Sequence, residues 1–322
     1  MSNILVTAIG SFSADIVIKT LKEMGHYVIG CDIYPKEWIA DAMHVDKFEE
    51  APYASQSDDY MKFIFQICEE NKIQFLIPLT DVEIDVLNEC REELDKRNVI
   101  LCISGYDCIE KCRNKFLLFN YLKCCGIENL IPTSLVEEID LNDLRFPAVM
   151  KPYDGRSSQG LYYLHTIEEA ENTIKITDES RYIVQPMIEG DIITVDVVRD
   201  IGSKLQFAVC RKELLRTLNG AGISVCVFRD EQLEQEAMHI ADCLDIKGCV
   251  NFEFIETKNH ERFFLECNPR FSGGVEFSCL AGYNCVRNHL NCFTGDYIER
   301  NVSIQEMYIA RKYEEYVTKI CK

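Results

Sequence analysis

Val250-Asn251-Phe252-Glu253-Phe254, a polar turn at Lys258-Asn259-His260, and Phe263-Phe264-Leu265-Glu266-Cys267-Asn268-Pro269-Arg270 together decide how this chain reads. Strand alternation puts Asn251 and Glu253 on one face and Val250, Phe252 and Phe254 on the other, and likewise sets Glu266 and Asn268 on a common face. If the two segments pair as a hairpin, those faces coincide and the two carboxylates become direct or diagonal neighbours within ~8 Å. Two anions held so close repel, and withdrawing each from water is expensive. A shared divalent cation relieves both problems. Two carboxylates and one amide form an oxygen-only ligand set that suits magnesium or manganese bridging to phosphate better than zinc. A hairpin whose acidic face meets water explains either carboxylate alone. Glu253, Glu266, Asn268 and Arg270 together, inside strongly apolar strands, favour the metal.

Upstream, Phe146-Pro147-Ala148-Val149-Met150-Lys151-Pro152 reads as a strand, followed by Asp154-Gly155-Arg156-Ser157-Ser158-Gln159-Gly160. A lysine at a strand end before a Gly/Ser loop sets one ammonium and several backbone amides around phosphates. The lysine precedes the loop, so this is no G-x-x-x-x-G-K-[ST] motif; alone, the segment is equally an ordinary surface turn. Lys115 follows Asn114 in a helix expected over 111–125, and a lysine there is ordinarily just solvated. Gln185-Pro186-Met187-Ile188-Glu189-Gly190 follows a strand in the manner of an interdomain hinge. Thr166 with Glu169 predicts a capping box, and Asp230 predicts the cap of a helix carrying Leu233, Ala237, Ile240, Ala241 and Leu244 on one face. Ile309, Tyr313, Tyr316, Val317 and Ile320 recur at helical spacing near the carboxyl end.

The first hundred residues alternate apolar strands (Ile4-Leu5-Val6, Tyr27-Val28-Ile29, Phe75-Leu76-Ile77, Val99-Ile100-Leu101-Cys102) with amphipathic helices. One of those helices is expected to carry Ile84, Leu87 and Leu94. Such βαβ alternation argues for a parallel sheet covered on both faces. Gly10 after the first strand and Asp32 after the second raise a rival reading, a Rossmann-type dinucleotide-binding oxidoreductase. Thr7-Ala8-Ile9-Gly10-Ser11-Phe12-Ser13 lacks the further glycines that close approach to a pyrophosphate needs.

A length of 322 residues suits two or three subdomains. The net charge of -19 opposes nucleic acid or an anionic membrane as main partner. The 17 cysteines include no C-x-x-C pair and read as buried reduced thiols, which implies a reducing compartment, the cytoplasm. No signal peptide and no membrane-spanning run is expected.

In order, Lys115, Lys151-Pro152 with its loop, the 185–190 hinge, Asn251-x-Glu253 and Glu266-x-Asn268-Pro-Arg270 resemble the ATP-grasp superfamily. The resemblance is closest to single-copy relatives of the carbamoyl phosphate synthase large subunit and to ligases of the pyrrolysine-biosynthesis type. It implies an α/β chain with a Rossmann-like pre-ATP-grasp domain (1–108), then an α+β ATP-grasp fold of two subdomains, a lid (109–185) and a core with a carboxy-terminal tail (186–322). It implies a ligase that activates a small carboxylate as an acyl phosphate for attack by an amine, using ATP and Mg2+ or Mn2+. A homodimer and a non-catalytic nucleotide-binding protein of the same fold stay open. Lys115 and Lys151 would contact the phosphates, and Gly155, Ser157, Ser158 and Gly160 would close over them. Gln185, Pro186, Met187, Ile188 and Glu189 would hold the nucleoside, and Glu253, Glu266 and Asn268 the metal. Arg270 would steady the carboxylate, with a further cation from Arg211, Lys212 or Arg216. Pro186 stands where relatives commonly place an acidic residue, and Ile192 where many carry a ribose-binding glutamate; Glu189 or Asp191 would substitute. Asp81 and Glu83 are candidates for a substrate amine, or plain helix-start acids; Ser272-Gly273-Gly274 would offer backbone donors, or is a simple turn.

Overall fold

Apolar strands that are buried on both faces fold the first hundred residues as a parallel sheet. The computed structural model describes every residue except Ser157, Asn219 and Lys322. Strands β1 (Asn3–Val6), β2 (Tyr27–Asp32), β3 (Lys47–Glu50), β4 (Phe75–Ile77) and β5 (Ile100–Leu101) run parallel in the order β3-β2-β1-β4-β5. Helix α1 (Ala14–Glu23) packs Val17 and Leu21 against Ile4 and Val6 on one face. On the other, α2 (Ser57–Glu70) and α3 (Asp81–Glu89) pack Ile64 and Leu87 against Leu5 and Leu76. Leu94 lies on a separate short helix, α4 (Arg91–Asp95), after a break at Cys90.

The single helix expected over 111–125 is two. Asn114 leaves the helical conformation and ends α5 (Tyr106–Arg113), and its side chain accepts from the amides of Phe116 and Leu117 to start α6 (Lys115–Cys124). Cys112, Leu118 and Leu122 of this pair pack with the large sheet described below, so these helices share the core subdomain's interior although the sequence grouped them with the lid.

The lid sheet is antiparallel, built from β6 (Ser134–Leu135), β7 (Ala148–Pro152), β8 (Tyr162–Leu164) and β9 (Tyr182–Pro186) in the order β6-β9-β7-β8, with α7 (Ile167–Ile174) packed on it. Thr166 accepts from the Glu169 amide at 3.2 Å, and the reciprocal arm falls one residue early, with Glu169 accepting from the His165 amide at 2.7 Å.

The third sheet, also antiparallel, contains β10 (Asp191–Asp200), β11 (Leu205–Arg216), β12 (Gly222–Phe228), β13 (Gly248–Glu256), β14 (Arg262–Asn268) and β15 (Met307–Ala310) in the order β14-β13-β10-β11-β12-β15. One face carries Ile193, Val195, Phe252 and Phe254 and is covered by α8 (Glu231–Cys243), whose first turn Asp230 caps by accepting from Leu233 at 3.0 Å. Part of the other face lies beneath α9 (Val275–Leu280) and α10 (Cys285–Thr294); the remainder faces the lid and the first domain. The carboxy-terminal helix expected from spacing is absent among the described residues. Ile309 instead pairs with Val225 in β15, and residues 311–321 run back to the first domain, where Lys319 meets Glu37 at 2.6 Å. Val317 and Ile320 are exposed, so a helix there has no apolar surface to cover. All 17 cysteines are free thiols, and no helix is long and apolar enough to cross a membrane among the described residues.

Candidate active site

The β13–β14 hairpin puts the acids where alternation demands. Glu253 pairs directly with Glu266 and Asn251 with Asn268, while Phe254 pairs with Phe264 across a register shift. That bulge turns Leu265 onto the same cleft as Glu266 and leaves both phenylalanines on the α8 face. Register extends the polar face across the sheet, since Thr194 opposes Glu253 and Arg211 opposes Thr194. This face forms the floor of a cavity of about 970 Å³ whose walls come from the lid sheet and the first domain, large enough for a nucleotide and a small substrate.

The walls are cationic. Lys115 Nζ lies 3.6 Å from Glu266 Oε2 and donates to the Gly155 carbonyl at 2.9 Å. Lys151, at the end of β7, is buried; burial pulls its ammonium down to about 8, with Lys115 pushing the same way and Glu266 opposing. Arg216 Nη2 donates to both Glu253 oxygens at 3.1 and 3.0 Å. Arg270 Nη2 reaches Asp81 Oδ2 at 3.0 Å and Asn268 Oδ1 at 3.4 Å. The two paired glutamates titrate apart. Burial first, and Glu266 second, push Glu253 up to about 7 despite Arg216. For Glu266 burial acts upward too, but Lys115 and Lys151 outweigh it and hold it below the usual carboxylate range. Two half-buried acids on one patch, one of them reluctant to ionise, with an amide oxygen nearby, form a donor set that fits a hard divalent cation.

The residues singled out from the sequence distribute as follows. Lys115, Lys151, Gly155, Ser158, Gln185, Pro186, Met187, Ile188, Glu189, Arg216, Glu253, Glu266, Asn268 and Arg270 all line the one cleft. Ser157 lies outside the described residues. Gly160 does not line the cleft; its φ is +69°, and an added Cβ would sit 2.9 Å from the Tyr182 hydroxyl, so this glycine serves the turn. Lys212 is a correction. It opposes Ile193, which is buried beneath α8, so it projects to the face away from the cleft and binds Asp191 at 2.6 Å. The same pair occupies Asp191 and leaves Glu189 as the acid at the hinge. Arg211 is fully buried, bound to Asp196, Ser278 and Ser272. Ser272, Gly273 and Gly274 line the cleft.

Asp81 and Glu83 separate. Asp81 faces the cleft and Arg270, whereas Glu83 turns into the first domain and accepts from Thr80 Oγ1 at 2.7 Å and the Tyr60 hydroxyl at 3.1 Å. Burial raises the Glu83 carboxyl above its ordinary 4.5, against the hydrogen bonds it accepts. The folded chain therefore holds this proton more tightly than the unfolded chain. That contribution is complete below the ordinary value and is lost as pH climbs through the folded one. Glu83→Gln is expected to flatten this decline in urea midpoint as pH rises above the ordinary glutamate value of 4.5, and to leave ADP release unchanged. A loss of ADP release would return Glu83 to the active site.

Asp32 settles its own role as well. Its carboxylate accepts from the Gly10 amide at 2.8 Å and the Tyr34 amide at 3.2 Å, so it fixes the first domain's glycine turn. Sequence patterning missed two acids. Asp85 on α3 pairs with Arg113 at 2.9 Å and with Arg156, tethering the Gly/Ser loop to the first domain. Glu213, two residues past Arg211 on β11, faces the cleft; strand alternation from Arg211 is the signal that finds it.

Known proteins agree with this architecture. Residues 4–102 match a family described as PylC-like, N-terminal domain, and residues 178–316 match one described as ATP-grasp in the biosynthetic pathway with Ter operon. The multifunctional protein pyr1-3 of Dictyostelium discoideum is 25% identical over 200 residues, covering 57% of this chain and 9% of that protein. A D-alanine–D-alanine ligase of Fusobacterium nucleatum is 31% identical over 143 residues, 41% of this chain and 47% of the ligase. The chain thus spans half or less of the length of these curated relatives. Among solved structures, a β,γ-ATP complex of biotin carboxylase from Campylobacter jejuni superposes with a TM-score of 0.81 at 16% identity, over 94% of this chain and 74% of that one. At that identity the likeness is one of fold.

Proposed function

We propose that this chain, which joins a PylC-like amino-terminal domain to an ATP-grasp domain, is an ATP-dependent ligase that couples a carboxylate to an amine through an acyl phosphate. The observation that carries the proposal is the direct pairing of Glu253 with Glu266 on a cleft face flanked by Lys115 and Lys151. A carboxylate is a poor electrophile because oxide leaves badly, and phosphorylation supplies a good leaving group. Phosphoryl transfer asks the protein for positioning and charge neutralisation more than for a nucleophile. The cleft offers that: lysines and arginines around a pair of acids.

In this reading Lys115 and Lys151 grip the phosphates, and the loop tethered by Arg156 to Asp85 covers them and excludes water. Residues 185–189 receive the nucleoside, with Glu189 nearest the ribose. Magnesium held by Glu253, Glu266 and Asn268 would neutralise charge on the phosphate oxygens. Arg270 orients the substrate carboxylate, one oxygen of which attacks the γ-phosphorus as ADP departs. The amine then attacks the acyl carbon and phosphate leaves. Buried free thiols at Cys112, Cys210 and Cys267 suit a reducing compartment, the cytoplasm.

Ligand-dependent unfolding tests the nucleotide assignment. ATP with magnesium at a hundredfold excess over its dissociation constant is expected to stabilise the chain by about 2.7 kcal/mol, whereas NAD gives no shift because the turn at Gly10 lacks the further glycines that close approach to a pyrophosphate needs. A shift with NAD and none with ATP and magnesium reverses the assignment. Phosphate and ADP release across pairs of acids and amines, with mass spectrometry of products, tests the ligation itself.

A further inference from the structure

We infer that Cys112 and Cys267 form a redox switch beneath the cleft, a dithiol that hydrogen peroxide closes to a disulfide and that then disables the nucleotide and metal site. The consequence rests on the ligase reading above; the cross-link does not. Of the 17 cysteines, these two line the cleft among the described residues, so a small oxidant entering the cleft meets them. Their sulfurs lie 3.4 Å apart, with Cys112 donating to Cys267. Cys108, one turn earlier on α5, packs in the same apolar cluster but does not line the cleft. Burial raises both thiols above their ordinary value, which slows oxidation and keeps the pair reduced until oxidant accumulates.

The chemistry balances with one oxidant. One thiol attacks a peroxide oxygen, giving a sulfenic acid and water; the second thiol attacks that sulfur, the S–S bond forms and a second water leaves. Two thiols and one hydrogen peroxide thus give one disulfide and two waters. The placement of the pair turns this bond into a switch. Cys267 stands on β14 between Glu266 and Asn268, and β14 is an edge strand of its sheet. Cys112 stands in the last turn of α5, beside Arg113, which pairs with Asp85 at 2.9 Å, and just ahead of Lys115. A disulfide holds its sulfurs ~2.05 Å apart, so closure draws these two together by about 1.4 Å. Packed interiors transmit such a strain instead of absorbing it. With α5 held by its apolar cluster and the Arg113 pair, part of the movement falls on the edge strand and displaces Glu266 and Asn268.

The test treats the full, reduced chain with hydrogen peroxide, maps its disulfides by mass spectrometry of unreduced peptides, and measures ATP affinity in the presence of magnesium before and after. A link between Cys112 and Cys267 is expected, with a rise in the ATP dissociation constant of roughly 10- to 100-fold, the usual cost of disturbing the support of a metal ligand. Dithiothreitol is expected to reverse both. Cys112→Ala keeps a small apolar side chain on α5 and is expected to bind ATP with magnesium like the wild type, before and after peroxide. A link from Cys112 to Cys108 in its place, no link at all, a link that leaves ATP affinity unchanged, or equal loss of affinity in peroxide-treated Cys112→Ala overturns the inference. Reduced wild type that does not bind ATP with magnesium counts against the nucleotide site itself, and that failure is read apart from the mapped link, which needs no nucleotide to form.

Discussion

Replacing Glu266 with alanine is expected to reduce ADP release by about two to three orders of magnitude, corresponding to ~2.7 to 4 kcal/mol for one preorganised electrostatic contact. Glu266 is the ionised member of the pair. It lies 3.6 Å from Lys115 Nζ, and Lys115 and Lys151 together keep it charged in a half-buried setting. Removing it deprives the proposed metal of a ligand and leaves two lysines to repel each other across the space the phosphates need. The fold is expected to survive. The hairpin ladder is backbone to backbone, and Phe252, Phe254 and Phe264 stay packed beneath α8. Steady-state ADP release together with far-ultraviolet circular dichroism checks both halves. Retained turnover in a folded Glu266→Ala chain would remove the basis of the whole assignment.

The paired acids were legible because a period of two is carried by few residues and needs no partner to be read. What needed a partner was not. Arg211, Lys212 and Arg216 lie within one strand, and only its register with β10 shows that Lys212 shares a face with buried Ile193 while Arg216 reaches Glu253. The bulge at Leu265 carries no glycine to announce it. Asn114 is a good cap residue in a pattern apolar enough to pass for one helix, and the tail from Ile309 to Ile320 has helical spacing but meets no surface on which that spacing matters. Asp81 and Glu83, two residues apart on a helix start, point to different domains, a distinction set by tertiary packing alone. Local chemistry named most of the cleft; strand register and interdomain contact decided which charges meet inside it.

The fully buried pair of Arg211 and Asp196 supports the second large expectation. Asp196→Ala is expected to destabilise the chain by ~3 to 5 kcal/mol, because a buried guanidinium is left without its anion. That is a large share of the ~5 to 15 kcal/mol by which domains are stable, and a urea titration would show it as a sharply lowered midpoint. Ser278 and Ser272 supply hydroxyls to the same guanidinium but no charge. Replacing both partners, Asp196→Leu with Arg211→Met, is expected to recover most of the lost stability, since apolar pairs substitute for buried ion pairs at little cost. Activity is expected to stay low in the double variant. Arg211 Nη2 donates to Ser272 Oγ at 3.1 Å, and Ser272 lines the cleft beside Arg270 and Gly273, so the ion pair fixes the turn against which the proposed substrate carboxylate would be held. A double variant as active as wild type would make the pair purely structural, and a stable single variant would mean that water or another anion reaches Arg211 in a place where both side chains are 0% exposed.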